Sequence, residues 1–116
     1  AHETAQPYLI VTKMEELLRN YLASEEHIVT KLARFHIEFE GIHPFIDGNG
    51  RTGRLLVNLE LMKAGYPPID IKITDRISYY NAFDEYHVKH NLKAMESLFA
   101  KYINERLDIY LKMLQN

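Results

Sequence analysis

The sequence holds no cysteine and no tryptophan, only five glycines and four prolines, and no long apolar run. Without cysteine there is no disulfide framework and no thiolate metal site. No stretch approaches the roughly 18–20 apolar residues of a membrane span, and the first residues lack a basic region followed by an apolar one. Charge of one sign is scarce too: 14 lysines and arginines against 16 acids leave a formal net charge of −2. That near-balance gives no support to a nucleic-acid surface, which shows as a strongly basic face. Nor does it suit disorder, since 47% of the residues are hydrophobic. These absences leave a soluble, cytoplasmic protein as the expectation, with neither nucleic acid nor membrane as partner. The 116 residues give room for one domain and no second core.

What is present is helical periodicity. After the turn-like A-H-E-T-A-Q-P, Pro7 is suited to open a helix, because its missing N–H is unpaired there anyway. From Tyr8 to Leu22 the set Met14, Leu17, Leu18, Tyr21 and Leu22 recurs at helical spacing. Ser24 reads as the N-cap of the next helix, about Glu25 to Gly41, with Glu25 and Glu26 in its first turn. Its apolar residues cover more than one face, from Ile28 to Phe39, which predicts a helix near the centre of the domain. Gly41, with the restriction Pro44 places on His43, ends it. A further apolar helix runs from about Arg51 to Ala64, carrying Leu55, Leu56, Val57, Leu59, Leu61 and Met62. Gly65 and the prolines at 67 and 68 stop it. Ile69 to Ile73 alternates and is either a strand or an extended connection. Thr74 or Asp75 caps a helix to about His87. The last helix, about Asn91 to Leu114, carries an aromatic and leucine stripe that reads as core along its length. Five helices with almost no sheet make the class all-α.

The stretch H-P-F-I-D-G-N-G-R-T-G-R-L-L, His43 to Leu56, joins the two most apolar helices and contains more than packing needs. Gly48 and Gly50 permit positive φ or close backbone approach, so consecutive N–H groups can line a concave turn. The helix that follows has unpartnered N–H groups in its first turn and draws anions, phosphates above all. Arg51 and Arg54 share a face of that turn, and two cations at a helix start are unfavourable unless an anion answers them. The combination asks for a polyphosphate. Asp47 beside it can hold Mg²⁺, which is usually bound by one or two carboxylates plus substrate oxygens. His43, with an ordinary imidazole pKa of about 6.5, is the natural general base. Together these suit transfer of a phosphorus group from a nucleotide to a hydroxyl. His36 and His43 have no third ligand beside them and carry little weight as a zinc pair. His2, His27 and His90 read as surface residues.

H-P-F-I-D-G-N-G-R-T-G-R resembles the signature of Fic proteins, H-x-F-x-(D/E)-G-N-G-R-x-x-R, at every specified position. Chance agreement at eight fixed positions is below about one in 10⁸. The resemblance extends to K-A-G-Y-P-P, to the pair Tyr79 and Tyr80, and to the order of helices. It implies a Fic (Fido) domain over residues 1–116 and a protein adenylyltransferase: AMP moves from ATP to a Ser, Thr or Tyr hydroxyl of a protein, and pyrophosphate leaves. On this resemblance His43 takes the proton from the target hydroxyl, and Asp47 holds Mg²⁺ against the α- and β-phosphates. Gly48, Asn49 and Gly50 form the anion cradle, with Asn49 on the α-phosphate, and Thr52 and Gly53 belong to the same ATP-binding turn. Arg51 engages the phosphates and Arg54 the γ-phosphate. Phe45 is implied as a buried anchor of the loop. The kinase-like Doc branch has lysine where Gly50 stands, so glycine favours AMP transfer. Tyr79 and Tyr80 are candidates for the nucleotide as well as for the core.

Three departures accompany the resemblance. Relatives place an asparagine on the adenine about seven residues after the tyrosine pair, and His87 stands there. A flap hairpin that aligns the target by strand pairing normally precedes the first helix, and an inhibitory helix with the motif S/T-x-x-x-E-G/N often accompanies it. Neither is found; Glu16 after Thr12 lacks the following Gly or Asn. The expectation is a domain core without its N-terminal flap and inhibitory segment, or inhibition supplied by another chain of antitoxin type. A non-catalytic nucleotide-binding module of the same fold, or a relative that removes AMP or transfers UMP, are the alternatives.

Overall fold

The computed structural model of the chain describes residues 5–115, so the surface reading of His2 lies outside the described residues. A short 3-10 turn, Pro7–Leu9, leads into α1, Ile10–Ala23. There follow α2, Ile28–Ile42, and α3, Asn49–Lys63, then a second 3-10 turn, Ile73–Asp75. The fold closes with α4, Arg76–Lys89, and α5, Lys93–Gln115. The architecture is all-α, with no strand among the described residues.

Apolar residues on opposite faces of α2 decide the packing, as a helix apolar all round must be buried all round. Leu32, Ala33 and Ile37 meet Val57 and Leu61 of α3 and Met95, Phe99 and Ile103 of α5 in the main core. Phe35, Phe39 and Ile42 face the other way and pack on Leu17 of α1. The central position expected for this helix is therefore observed. α4 lies against α5.

Several local expectations are corrected. Ser24 does not cap α2: its Oγ accepts from the N–H of Glu26 at 3.2 Å, a turn of its own, and the cap is His27, whose Nδ1 accepts from Val29 N–H at 3.1 Å. Gly41 stays helical, and α2 ends when His43 enters the left-handed region at φ 56°, ψ 60°. Asp75 occupies the N-cap of α4 without bonding its N–H groups; its carboxylate accepts from the Tyr102 hydroxyl at 2.8 Å instead. The alternating stretch is no strand: residues 69–72 form a connection, and Ile73 already belongs to the 3-10 turn. The connection is pinned by Asn58, whose side chain accepts from the N–H of Ile69 at 2.8 Å and donates to its carbonyl at 3.0 Å. The stripe of α5 is core only as far as Ile103, and Leu107, Tyr110, Leu111 and Leu114 are exposed. On α3 only Val57 and Leu61 of the apolar set are buried.

Candidate active site

The loop between α2 and α3 runs from His43 to Gly48. Its shape is set by one side chain. Asn49 is almost fully buried, accepts from Phe45 N–H at 2.8 Å and donates to Phe45 C=O at 2.7 Å. Both ends of the Asn49 amide are thus given to one loop residue, closing the loop back on the start of α3. One Nδ2 hydrogen is left, so a bond to a phosphate oxygen would come in addition to this structural task. Phe45 itself is half exposed, which corrects the expectation of a buried anchor: its backbone holds the loop, not its ring.

Gly48 is the N-cap of α3 at φ 79°, a conformation glycine adopts without steric cost. Its N–H donates to Asp47 Oδ1 at 2.8 Å, which turns that carboxylate toward the helix start. The first intrahelical bond of the turn is Thr52 N–H to Gly48 C=O at 3.0 Å, so the N–H groups before Thr52 precede the ladder. Gly50 needs no positive φ; it matters for space. A Cβ at Gly48 would stand 3.0 Å from Arg51 Nη2, and one at Gly50 would stand 3.0 Å from Arg54 Nη1. Each arginine folds back over a glycine toward the start of its own helix, the direction in which helical side chains lean.

The result is one open cavity of about 420 Å³, walled by His43, Asp47, the turn at 48–50, Arg51 and Arg54. His43 is exposed at its rim. A left-handed backbone at a histidine followed by proline is strained, of order 1 kcal/mol or more, and such strain gathers at functional positions. An anion entering the cavity would meet two guanidinium groups and a helix start, with an imidazole and a carboxylate at the edge. One exposed carboxylate fits Mg²⁺ shared with substrate oxygens. It does not fit a metal held by protein alone, and no group of three metal-binding side chains exists among the described residues. His36, the other half of the weighed zinc pair, is fully buried, whereas His43 is exposed.

The remaining candidates are divided. Thr52 and Gly53 lie in the first turn of α3, Gly53 buried where α3 meets α2. The Tyr79 hydroxyl lies 2.5 Å from His36 Nε2, so Tyr79 is committed to the interior. Burial raises the Tyr79 pKa and, together with the charge of Arg54, lowers that of His36 to about 4, leaving that ring neutral. The Tyr80 ring lies tilted against that of Tyr79, centroids 5.7 Å apart, and is largely exposed. His87 lines a different cavity, about 580 Å³ between α1, α2 and α4, together with Lys13, Glu38 and Tyr86.

Sequence reasoning passed over Glu40. A Cβ at Gly53 would lie 2.6 Å from Glu40 Oε1 and 3.2 Å from the Phe39 ring, so α2 and α3 pack closely at this glycine. Burial pushes the Glu40 carboxyl up, opposed by the charges of Arg54 and His43. Its one sequence signal was a carboxylate among apolar residues on a buried helix.

The Fic/DOC family model matches residues 1–61. Protein adenylyltransferase Fic of Drosophila ananassae is 39% identical over 103 residues, covering 89% of this chain and 20% of that protein. The Drosophila melanogaster protein of the same name is 38% identical over the same length. The chain thus spans about one fifth of the length of the curated relatives it matches. Among solved structures, Fic-1 from C. elegans superposes with a TM-score of 0.83 at 26% identity, covering 97% of this chain and 34% of that one. A Fic domain containing signaling protein from Bacteroides thetaiotaomicron gives 0.70 at 30% identity, covering 88% and 42%. With the motif seated on the α2–α3 loop and the helices superposing on these neighbours, the chain belongs to the Fic/DOC family.

Proposed function

We propose that this chain carries the catalytic core of a protein adenylyltransferase, with ATP as donor and a protein hydroxyl as acceptor. The observation that carries the reading is the shared cavity: His43, Asp47, the glycine turn and both arginines wall one space. The triphosphate lies on the amide hydrogens at the start of α3, where the helix dipole and the two guanidinium groups answer its charge. Arg51 engages the phosphates and Arg54 the γ-phosphate; Asn49 adds a donor toward the α-phosphate. Asp47 would hold Mg²⁺, which would neutralise charge on the phosphate oxygens. His43 takes the proton from the target hydroxyl, whose oxygen forms the new bond to the α-phosphorus. The bond from that phosphorus to its bridging oxygen breaks, and pyrophosphate leaves. Tyr80 and His87, on α4 and outside the walls of the phosphate cavity, are proposed to meet the adenine.

Incubation with Mg²⁺ and ATP labelled at the α-phosphate, in a cell lysate, tests this. Label on protein that disappears in His43→Ala is the expected result. Label from UTP and not from ATP would move the donor assignment. ATP bound with no label on any protein, in every lysate tried, would make the chain a nucleotide-binding module.

A further inference from the structure

Behind the cradle lies a set of polar atoms that the transfer chemistry leaves unused. His36 and Glu40 stand one turn apart on α2 and so share one of its faces. His36 is fully buried and its Nδ1 has no hydrogen-bond partner; Glu40 Oε1 is also buried without one. A buried carboxylate oxygen with no donor is costly, and native structures keep few of them. Removing it would be simple by substitution, so its surroundings should say what it does.

Three contacts define them. Glu40 Oε1 is wedged against the backbone of α3 at Gly53, close enough that a Cβ there would overlap it. Arg54 is the next residue, and its guanidinium leans over Gly50 into the loop cavity. Among the described residues Arg54 has no hydrogen bond and no ion pair within 4.0 Å, yet its charge is felt at Glu40, at His36 and at Tyr79. Arg54 also borders a small gap lined by His36, Val57 and Phe99. His36 stays neutral there and does not compete for the carboxylate. Arg54 first, and His43 at the loop's edge after it, are the groups whose charge opposes the effect of burial at Glu40.

We propose that Glu40 is a positioning residue: its half-buried carboxylate, packed against Gly53, aims the Arg54 guanidinium at the terminal phosphate of a nucleoside triphosphate. This rests on the reading of Arg54 as a γ-phosphate ligand. Glu40 touches no nucleotide atom in this scheme and acts through Arg54. Its effect therefore belongs to the triphosphate and is absent for the diphosphate, a selectivity that general loosening of the fold would not produce.

Calorimetric titration with Mg²⁺ and either ATP or ADP, on the wild type, Glu40→Gln, Glu40→Asp and Arg54→Ala, tests the proposal. The wild type is expected to prefer ATP, and Arg54→Ala to lose that preference. Glu40→Gln keeps the size and removes the charge. It should cut the preference about five-fold while ADP affinity stays within about two-fold. Glu40→Asp keeps the charge one methylene short and should retain more of the preference than the glutamine variant. Equal losses for both nucleotides in Glu40→Gln, or an unchanged preference, overturn the positioning role. An Arg54→Ala protein that still prefers ATP overturns the γ-phosphate reading itself, so the two failures are told apart. Should Glu40→Gln fail to melt cooperatively, Glu40→Asp decides alone. Reduced preference with ADP affinity kept supports the role; an unchanged preference, or both nucleotides weakened alike, refutes it.

Discussion

In front of the first turn of α3, the side chains of His43, Asp47, Arg51 and Arg54 are exposed, and the loop that presents them is held by a single asparagine. Behind that turn, His36 is fully buried, Glu40 is wedged under Gly53, and two polar atoms have no partner. The front leaves these side chains open to solvent around one cavity. The back makes close contacts and still leaves charge unanswered, which no packing requirement explains. On the proposed reading, the groups in front would meet the nucleotide, and those behind would act on the side chain that meets it.

The widest separation of the two sides should come from His43→Ala. Removing a general base should lower AMP transfer by about 10²–10⁴-fold, with ATP affinity within a few-fold because the base acts in the chemical step. Label transfer and calorimetry on the same preparation check it; affinity collapsing with activity would mean that His43 holds the nucleotide.

A second break concerns pH. Burial holds His36 neutral in the fold down to about 4, against an ordinary value of 6.5. The unfolded chain therefore takes up a proton first as pH falls, and the His36 contribution to stability is lost between those two values. In full it amounts to about 3 kcal/mol. Glu40, raised in the fold, works in the opposite sense over its own range. The difference in urea unfolding between wild type and His36→Asn isolates the histidine part, and it should shrink toward acid pH. A difference that is flat from pH 7 to pH 4 would contradict a neutral buried ring.

Gly53→Ala attacks the back alone. A methyl 2.6 Å from Glu40 Oε1 and 3.2 Å from the Phe39 ring must displace that carboxylate and shift the ring by a few tenths of an ångström. The substitution carries an overpacking cost of about 1–3 kcal/mol in urea denaturation, which the better helix propensity of alanine, about 1 kcal/mol, partly offsets. It should also erode the ATP-over-ADP preference, since it dislodges Glu40. The smallest effect belongs to Phe45→Ala. A half-exposed ring whose backbone does the holding should cost under about 1 kcal/mol. A buried anchor would cost about 3–5 kcal/mol.

The front was legible in the sequence because its spacing carries its chemistry: glycines that open a turn, then arginines three apart on a helix start. Helix order and the central place of α2 were legible for the same reason, since periodicity reports which faces are apolar. The back was not. Glu40 is one carboxylate in H-I-E-F-E-G-I, and nothing local says that it, and not Glu38, is wedged under Gly53. Glu38 instead accepts from the Tyr86 hydroxyl at 2.6 Å. Asn58 is hidden likewise, one polar residue in an apolar helix whose partner, Ile69, is eleven residues away. The end of α5 failed in another manner. Its period continues past Ile103, yet the neighbouring helices do not reach Leu107, Tyr110 and Leu111, and a stripe says nothing about where its partner stops.

The most direct measurement is the set of backbone amide shifts on adding Mg²⁺ and ATP. The largest changes should fall on Gly48, Asn49, Gly50 and Arg51, with the amides of α5 still. Changes confined to the cavity walled by Lys13, Glu38 and His87, with the α3 start unmoved, would contradict the phosphate cradle.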